Sequence, residues 1–179
     1  MRKDIKEILI NEVTLQRRID ELGVEITKDY EGKNPLIICV LKGAVLFMAD
    51  LVQRIDTTLE MDFMAISSYG DSTKTSGQVR ILKDLEKSVE NRDILIVEDI
   101  VDSGLTLAYI INLLRERNAN SIKVCTLLEK PARRVAQVKM DYIGFEVPDE
   151  FVVGYGLDYA ERYRNLPYIG ILKEEIYNT

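Results

Sequence analysis

The sequence contains no histidine. Ser-His and Cys-His nucleophilic catalysis is therefore excluded, as is a metal held by histidine. Acid–base chemistry would fall to carboxylates, lysine or tyrosine. Cysteine is scarce too: Cys39 and Cys125 are the only two, and both lie in apolar runs without a CxxC or CxxH spacing. We expect both to be buried and reduced, and we expect neither a zinc site nor a redox pair.

Long apolar runs are also absent. No stretch approaches the roughly 18 to 20 apolar residues of a membrane-spanning helix, and residues 1–4 lead into an amphipathic pattern rather than a signal peptide. We expect a cytoplasmic protein with no membrane partner. The 30 acidic residues outnumber the 24 basic ones, for a formal charge of −6. This charge argues against broad binding to nucleic acid, so any anionic ligand must be held by local groups.

The length of 179 residues suits one domain, and neither an internal repeat nor a linker interrupts it. Apolar side chains recur at helical spacing over 14–30 and from Leu107 to Leu114, and residues 44–54 have a helical composition. Apolar or β-rich runs predict strands at 36–41, 61–69, 79–83, 93–97, 122–128, 142–145, 151–155 and 168–172. Strands that alternate with helices predict an α/β fold with a mainly parallel sheet.

Three polar segments directly follow predicted strands. They are Lys42-Gly43, the acidic loop that starts at Glu98, and Lys130. Ligands of parallel α/β sheets bind in the crevice at the carboxyl ends of the strands. We therefore expect these segments, which are far apart in sequence, to converge on one edge of the sheet.

The acidic loop carries three carboxylates, Glu98, Asp99 and Asp102, within five residues. Like charges this close repel and raise one another's pKa, so cations or hydroxyl groups should offset them. Residues 103–106 (Ser-Gly-Leu-Thr) then open a helix, whose free N–H groups and hydroxyls suit a phosphate. Together these features indicate a sugar phosphate. Alternatively, Asp102 and Ser103 are only N-caps and the carboxylates are solvated.

The string VEDIVDSGLTL at 97–107 resembles the ribose-diphosphate motif of the phosphoribosyltransferases. The resemblance extends over nearly the entire chain, toward the bacterial members that take hypoxanthine and guanine. The other matching segments are Leu41-Lys42-Gly43, Ser68-Tyr69-Gly70 with Thr75-Ser76-Gly77, and FVVGYGLDY at 151–159. Their order and context agree with that family.

This resemblance implies the type I phosphoribosyltransferase fold as one domain over 1–179, with a small hood subdomain built from the N-terminal segment and about 130–179. It implies purine salvage: the 5-phosphoribosyl group passes from phosphoribosyl diphosphate to N9 of hypoxanthine or guanine, giving IMP or GMP and pyrophosphate. It also implies Mg2+ as cofactor and assembly into a homodimer or homotetramer.

The resemblance assigns the acidic loop to the sugar. Glu98 and Asp99 would bind the ribose hydroxyls, partly through Mg2+. The 5-phosphate would be held by Asp102, Ser103, Gly104, Leu105 and Thr106. Asp102 would also lie near purine N7, as a general base or a proton holder, and it is the catalytic candidate. Leu105 stands where some relatives have lysine, so only its backbone can donate there.

The resemblance assigns other segments to the pyrophosphate and to a closing loop. Lys42 and Gly43 would bind pyrophosphate, often beside a cis peptide at the Leu41-Lys42 step, and Arg164 would bind it too. Arg134 matches the arginine of the family better than Arg133 does. The loop that carries Ser68, Tyr69, Thr75 and Ser76 would close over the site and exclude water.

Four further residues are implied to hold the purine. Lys130 would donate to the 6-oxo group, and Val152 would read the base edge through its backbone. Phe151 would stack on the base, although it could also be a core aromatic. Asp158 would lie near a second Mg2+ and the guanine amino group.

Two rival functions use similar residues. A regulator with this fold could bind RNA or DNA, but the acidic charge and the intact purine segment argue against it. An isoprenoid synthase also binds magnesium diphosphate at Asp-rich segments, but the all-helical pattern of that class is absent.

Overall fold

Two sheets organise the chain, which the computed structural model describes for residues 1–68 and 79–178. The strands are β1 (Ile5–Ile10), β2 (Leu36–Leu41), β3 (Glu60–Ser68), β4 (Val79–Lys83), β5 (Asp93–Val101), β6 (Ser121–Glu129), β7 (Tyr142–Glu146), β8 (Val152–Val153) and β9 (Ile169–Leu172). The α-helices are α1 (Glu12–Tyr30), α2 (Val45–Val52), α3 (Leu105–Glu116) and α4 (Glu174–Tyr177). Short 3-10 helices cover Arg2–Asp4 and Pro131–Arg133.

The larger sheet has six strands in the order β4-β3-β2-β5-β6-β7. All of its pairs are parallel except β3 with β4, which places one antiparallel strand at an edge. The predicted α/β fold with a mainly parallel sheet is confirmed. This architecture also excludes the all-helical isoprenoid synthase reading.

The central strands are buried on both faces, as their continuous apolar runs predict. Ile37 and Cys39 of β2 face the core that α1 and α2 cover, whereas Ile38 and Val40 face the core that α3 covers. Cys39 and Cys125 are both buried and free, as expected. Among the described residues, no helix is both long and apolar enough to cross a bilayer.

A small antiparallel sheet, in the order β1-β9-β8, joins the two ends of the chain. Ile5 pairs with Leu172 and Ile10 with Ile169. A separate apolar cluster that includes Val153, Leu166 and Leu172 packs behind this sheet. The small sheet agrees with the expected hood. However, β7 lies within the 130–179 segment that was assigned to the hood, and it belongs to the larger sheet. The assignment of 1–179 to a single domain stays a prediction.

Most predicted elements are present, with three differences. The strand predicted at 93–97 continues to Val101, because its parallel pairing with β6 extends through Ile100 and Leu128. Glu98 and Asp99 are therefore strand residues, and the acidic loop is shorter than predicted. The strand predicted at 151–155 shrinks to two residues, and β1 and α4 were not predicted.

We expect Ile19→Ala in α1 to lower the free energy of unfolding by about 2 to 5 kcal/mol, because it leaves a cavity in a fully buried position. Val24→Ala in the same helix is the control, since Val24 is 70% exposed. Chemical denaturation of both variants tests this. Equal losses would show that α1 does not bury the Ile19 face against the sheet.

Candidate active site

Three loops converge at one edge of the larger sheet, as predicted. The backbone of Gly43 follows β2 and lies so close to the carboxylate of Asp99 that a Cβ atom there would overlap it. The Lys130 N–H donates to the Val101 carbonyl over 3.0 Å. The carboxyl ends of β2, β5 and β6 therefore form one site.

The loop between β5 and α3 is shaped by backbone contacts. Gly104 is the N-cap residue of α3, has φ of 80°, and supplies no side-chain cap. Ser103 Oγ accepts from the Leu105 N–H at 3.3 Å. Asp102 makes no cap, so the reading of Asp102 as a simple N-cap is wrong. A cavity of about 120 Å³ opens here, lined by Glu98, Ile100, Val101, Asp102, Ser103, Gly104, Thr106 and Leu107.

Arg134 braces this loop from outside. Its Nε donates to the Asp102 carbonyl at 3.2 Å, and its Nη2 donates to Glu129 Oε1 at 2.7 Å. The Ser103 carbonyl also accepts from the backbone N–H groups of Val135 and Ala136, both at 2.9 Å. The bonds from Arg134, Val135 and Ala136 fix the loop through the carbonyls of Asp102 and Ser103. Of the N–H groups at the start of α3, the Leu105 N–H donates to Ser103 Oγ, and the open end of the helix favours an anion.

Burial destabilises the charged forms of the two strand carboxylates. Glu98 is only 7% exposed, and burial, with Asp99 beside it, raises its pKa well above the usual range. Burial likewise raises the pKa of Asp99 to about 6. Oδ1 of Asp102 is buried and has no hydrogen-bond partner among the described residues. A bound ligand that brings a cation or hydroxyl groups would relieve these costs.

The carboxylates of this site suit Mg2+, which in phosphate-binding sites is often held by one or two carboxylates. Within residues 1–68 and 79–178, no three histidine, cysteine or acidic side chains form a ready cage for a metal. Asp99 and Asp158 nevertheless line the same cavity. Magnesium commonly takes one or two protein carboxylates and completes its shell with substrate oxygens and water. The residues fit an ion that arrives together with a phosphorylated ligand.

A second cavity, of about 260 Å³, adjoins the first. It is lined by Asp99, Ile100, Asp102, Lys130, Arg133, Phe151, Val152, Leu157 and Asp158. Lys130 is 6% exposed, and its Nζ donates to the Glu150 carbonyl at 2.7 Å. A buried cation, an aromatic ring and carboxylates in one small cavity suit a flat polar heterocycle.

The ring of Phe151 is held by two tyrosines. Tyr177 of α4 stacks on it with centroids 4.7 Å apart and an angle of 22°, and Tyr159 meets it edge-on at 5.6 Å. Because Phe151 also lines the larger cavity, it is not simply a core aromatic. Tyr177 was not predicted, since nothing in the local sequence near the C-terminus marks this contact.

Lys42 and Arg164 lie together although 122 positions separate them. One carboxylate, Glu161, joins them: its Oε2 is 3.2 Å from Lys42 Nζ, and its Oε1 is 3.0 Å from Arg164 Nη2. Arg164 also lies 3.3 Å from Asp158 Oδ1. The Leu41-Lys42 peptide is cis, as the family resemblance implies. Glu161 was missed, because its role depends on a contact across the fold.

The remaining predicted residues divide into two groups. Arg133 lines the larger cavity and pairs with Asp149 at 3.6 Å, whereas Arg134 braces the loop. Ser68 ends β3. Tyr69, Thr75 and Ser76 lie outside the described residues, as does the side chain of Ser68, so the closing loop stays a prediction.

Comparison with known proteins identifies the class. The family model of the phosphoribosyl transferase domain matches residues 5–160. The chain therefore belongs to the phosphoribosyltransferase family, whose α/β fold it has.

Individual relatives narrow this to one group, the hypoxanthine-guanine phosphoribosyltransferases. The chain is 62% identical over 179 residues to the hypoxanthine-guanine phosphoribosyltransferase of Bacillus subtilis, covering 100% of this chain and 99% of that one. It is 62% identical over 178 residues to the bifunctional protein TilS/HprT of Listeria monocytogenes, 99% of this chain but 28% of that protein. The crystal structure of a hypoxanthine phosphoribosyltransferase from Staphylococcus aureus superposes with a TM-score of 0.97 at 52% identity, covering 100% of this chain and 97% of that one.

The raised pKa of Asp99 makes stability depend on pH. Between the ordinary value of 3.8 and about 6, the folded chain holds a proton that the unfolded chain has lost. Stability therefore falls as pH rises through that window. In metal-free buffer, the free energy of unfolding of Asp99→Asn, taken relative to the wild type, should rise by about 1 to 3 kcal/mol from pH 4 to pH 8. This range is discounted for the partial exposure of Asp99.

Denaturant unfolding at both pH values measures this difference. Asp56→Asn, at an exposed position beyond α2, makes the same charge change and is the control. A stability difference between Asp99→Asn and the wild type that does not change with pH would contradict the expectation.

Proposed function

We propose that this chain transfers the 5-phosphoribosyl group of phosphoribosyl diphosphate to N9 of hypoxanthine or guanine, forming IMP or GMP and pyrophosphate. One observation carries the proposal: Asp102 lines both the smaller cavity at the start of α3 and the larger cavity with Lys130 and Phe151. A phosphate in the first and a purine in the second would place the sugar between them.

The smaller cavity suits the 5-phosphate. The backbone of Ser103, Gly104, Leu105 and Thr106 presents the open end of α3, where N–H groups and the helix dipole favour an anion. The hydroxyls of Ser103 and Thr106 add donors. Glu98 and Asp99, at the end of β5, would accept hydrogen bonds from the ribose hydroxyls. These bonds would replace the hydrogen bonds to water that the carboxylates lose on burial.

The larger cavity suits a 6-oxopurine. The Lys130 ammonium group can only donate hydrogen bonds. It would donate to a 6-oxo group, whereas a 6-amino group would face it with a second donor. Adenine should therefore be a poor substrate. Phe151 would stack on the base, Val152 would read its edge through the backbone, and Asp158 would face a guanine amino group.

Asp102 would manage the purine proton. Its buried Oδ1 has no partner among the described residues, so it is available to a ligand N–H. With no histidine in the chain, a carboxylate at this junction is the best placed acid–base group. As N9 bonds to the anomeric carbon, the bond from that carbon to the diphosphate oxygen breaks through an oxocarbenium-like state. Asp102 would accept or hold the proton that the purine releases.

The diphosphate would leave toward Lys42 and Gly43 at the end of β2, and toward Arg164. The Lys42 ammonium and the Arg164 guanidinium offset its negative charge. Asp99 lies against the Gly43 backbone and Asp158 lies 3.3 Å from Arg164. These two carboxylates also line one cavity, and they would hold Mg2+ beside the diphosphate. When bound, the metal ion supplies electrostatic stabilisation of the departing pyrophosphate.

We also infer self-association, as a homodimer or homotetramer, and a cytoplasmic location. Val45 and Leu46 are 38% and 39% exposed on α2, next to the Lys42 loop, and so offer an apolar face to a second copy. Free, buried cysteines suit a reducing compartment. Light scattering coupled to size-exclusion chromatography would measure the assembly, and a monomer at micromolar concentration would refute it.

The reaction is tested by following pyrophosphate and nucleotide formation from phosphoribosyl diphosphate with each purine separately. We expect turnover with hypoxanthine and guanine, little or none with adenine, and loss of turnover when EDTA removes magnesium. Binding of phosphoribosyl diphosphate without turnover on any base would favour a regulatory protein instead.

Asp102→Asn should lower kcat by about 100- to 10,000-fold, the range for loss of a general acid–base group. The KM values for both substrates should change far less, because the amide keeps the shape and much of the hydrogen bonding. Steady-state kinetics, with Asp56→Asn as control, measures the split. A rise in KM at unchanged kcat would make Asp102 a binding residue only.

A further inference from the structure

Glu161 occupies the position between the two cations that the proposed function assigns to the diphosphate. Each of its carboxylate oxygens takes one partner, Lys42 Nζ at 3.2 Å and Arg164 Nη2 at 3.0 Å. Among the described residues, it is the only carboxylate within 4 Å of Lys42 Nζ. These two cations hold the pKa of Glu161 below its usual value. One carboxylate thus bridges two cations suited to a larger anion, although Arg164 also pairs with Asp158 Oδ1 at 3.3 Å.

Glu161 lies in a turn whose backbone is strained. Tyr159 and Arg162 exchange two backbone hydrogen bonds, at 3.1 and 3.0 Å, around a two-residue turn formed by Ala160 and Glu161. Both turn residues are left-handed, with φ of 52° and 62°. Such turns favour glycine or asparagine, because a Cβ atom is strained in the left-handed conformation. Backbone strain of this kind is common at functional sites.

Neighbouring groups hold the turn and the guanidinium in place. The Asp158 carboxylate accepts from the Glu161 N–H at 2.8 Å, and Arg164 Nη1 donates to the Gly156 carbonyl at 2.7 Å. The Gly156 backbone in turn packs directly on the carbonyl of Gly43. The segment that leads into the turn of Glu161 therefore packs against the residue that follows Lys42.

The ion pairs themselves are weak enough to exchange. Lys42 and Glu161 are 68% and 65% exposed, and ion pairs between exposed groups contribute little to stability because water screens them. A diphosphate carries several negative charges and would displace the carboxylate from both cations. The displaced Glu161 would stay nearby, where it repels the bound anion.

We propose that Glu161 is an internal substitute for the diphosphate: a positioning residue that holds Lys42 and Arg164 at the right spacing and weakens binding of pyrophosphate by competing for them. The inference rests on the proposed function, which assigns these cations to the diphosphate. Glu161 keeps the pair ordered when no diphosphate is bound, and it helps the product leave.

Calorimetric titration of the full chain with pyrophosphate and Mg2+, together with steady-state kinetics, tests the proposal. At low salt, Glu161→Gln should bind pyrophosphate about three- to tenfold more tightly and lower the KM for phosphoribosyl diphosphate similarly. The KM for hypoxanthine should not change, and the gain should shrink as salt is raised. Glu90→Gln, at an exposed position before β5, is the control of equal charge and should show no gain.

Two further variants separate the possible failures. Lys42→Met should weaken pyrophosphate binding, and on that background Glu161→Gln should give a smaller gain. If Lys42→Met has no effect, the assignment of the diphosphate site fails. If Lys42→Met weakens binding but Glu161→Gln leaves it unchanged or weaker, the substitute role of Glu161 is overturned.

Glu161→Gly distinguishes the carboxylate from the turn. Glycine relaxes the left-handed backbone and removes the charge. It should tighten pyrophosphate binding as Glu161→Gln does, without lowering the melting temperature. Weaker binding by the glycine variant would show that the strained turn, and not competition by the carboxylate, sets the affinity.

Discussion

The parallel register of β5 between β2 and β6 is the constraint on which the site depends. Cys39 pairs with Val97, and Val97 pairs with Cys125, so the three strands end at one edge. Successive residues of a strand face opposite sides of the sheet. Glu98 therefore opens on the smaller cavity and Asp99 on the larger one. A slip of β5 by one residue would turn Glu98 toward the larger cavity and Asp99 toward the smaller one.

That arrangement is costly for the folded chain. Glu98 and Asp99 lie at the end of a buried strand, and burial raises the pKa of both. Neither forms an ion pair with a lysine or arginine among the described residues. An active site that holds unfavourable electrostatics in this way gives up stability for function. Ligand binding then stabilises the fold by a free energy that grows with the logarithm of ligand concentration.

Local pattern was sufficient to predict the large sheet. The apolar run at 36–41 coincides with β2, because a strand covered on both faces leaves a continuous signal. The end of β5 was misplaced, because its polar residues suggested a loop while pairing with β6 carried the strand onward. β1 and α4 escaped prediction, since neither has a marked periodicity of its own and both depend on partners elsewhere in the chain.

The site divides in the same way. Topology predicted that Lys42, Asp99 and Lys130 would meet, because each follows or ends a parallel strand. The contact of Lys42 with Glu161, which joins positions 119 residues apart, could not be read from spacing. The ion pair of Arg134 with Glu129 could not be read from spacing either, because the adjacent Arg133 has the same side chain. Contacts made by side chains across the fold leave no local signature.

The pairing of Ile5 with Leu172 has a consequence for how the chain matures. During synthesis, strands β2 to β6 are available well before β9 emerges, so the edge that carries Glu98 and Asp102 can order early. The small sheet must wait for both of its distant partners, and contacts so remote in sequence form slowly. The side of the site that contains Phe151 is thus completed last, after the edge that carries Glu98 and Asp102.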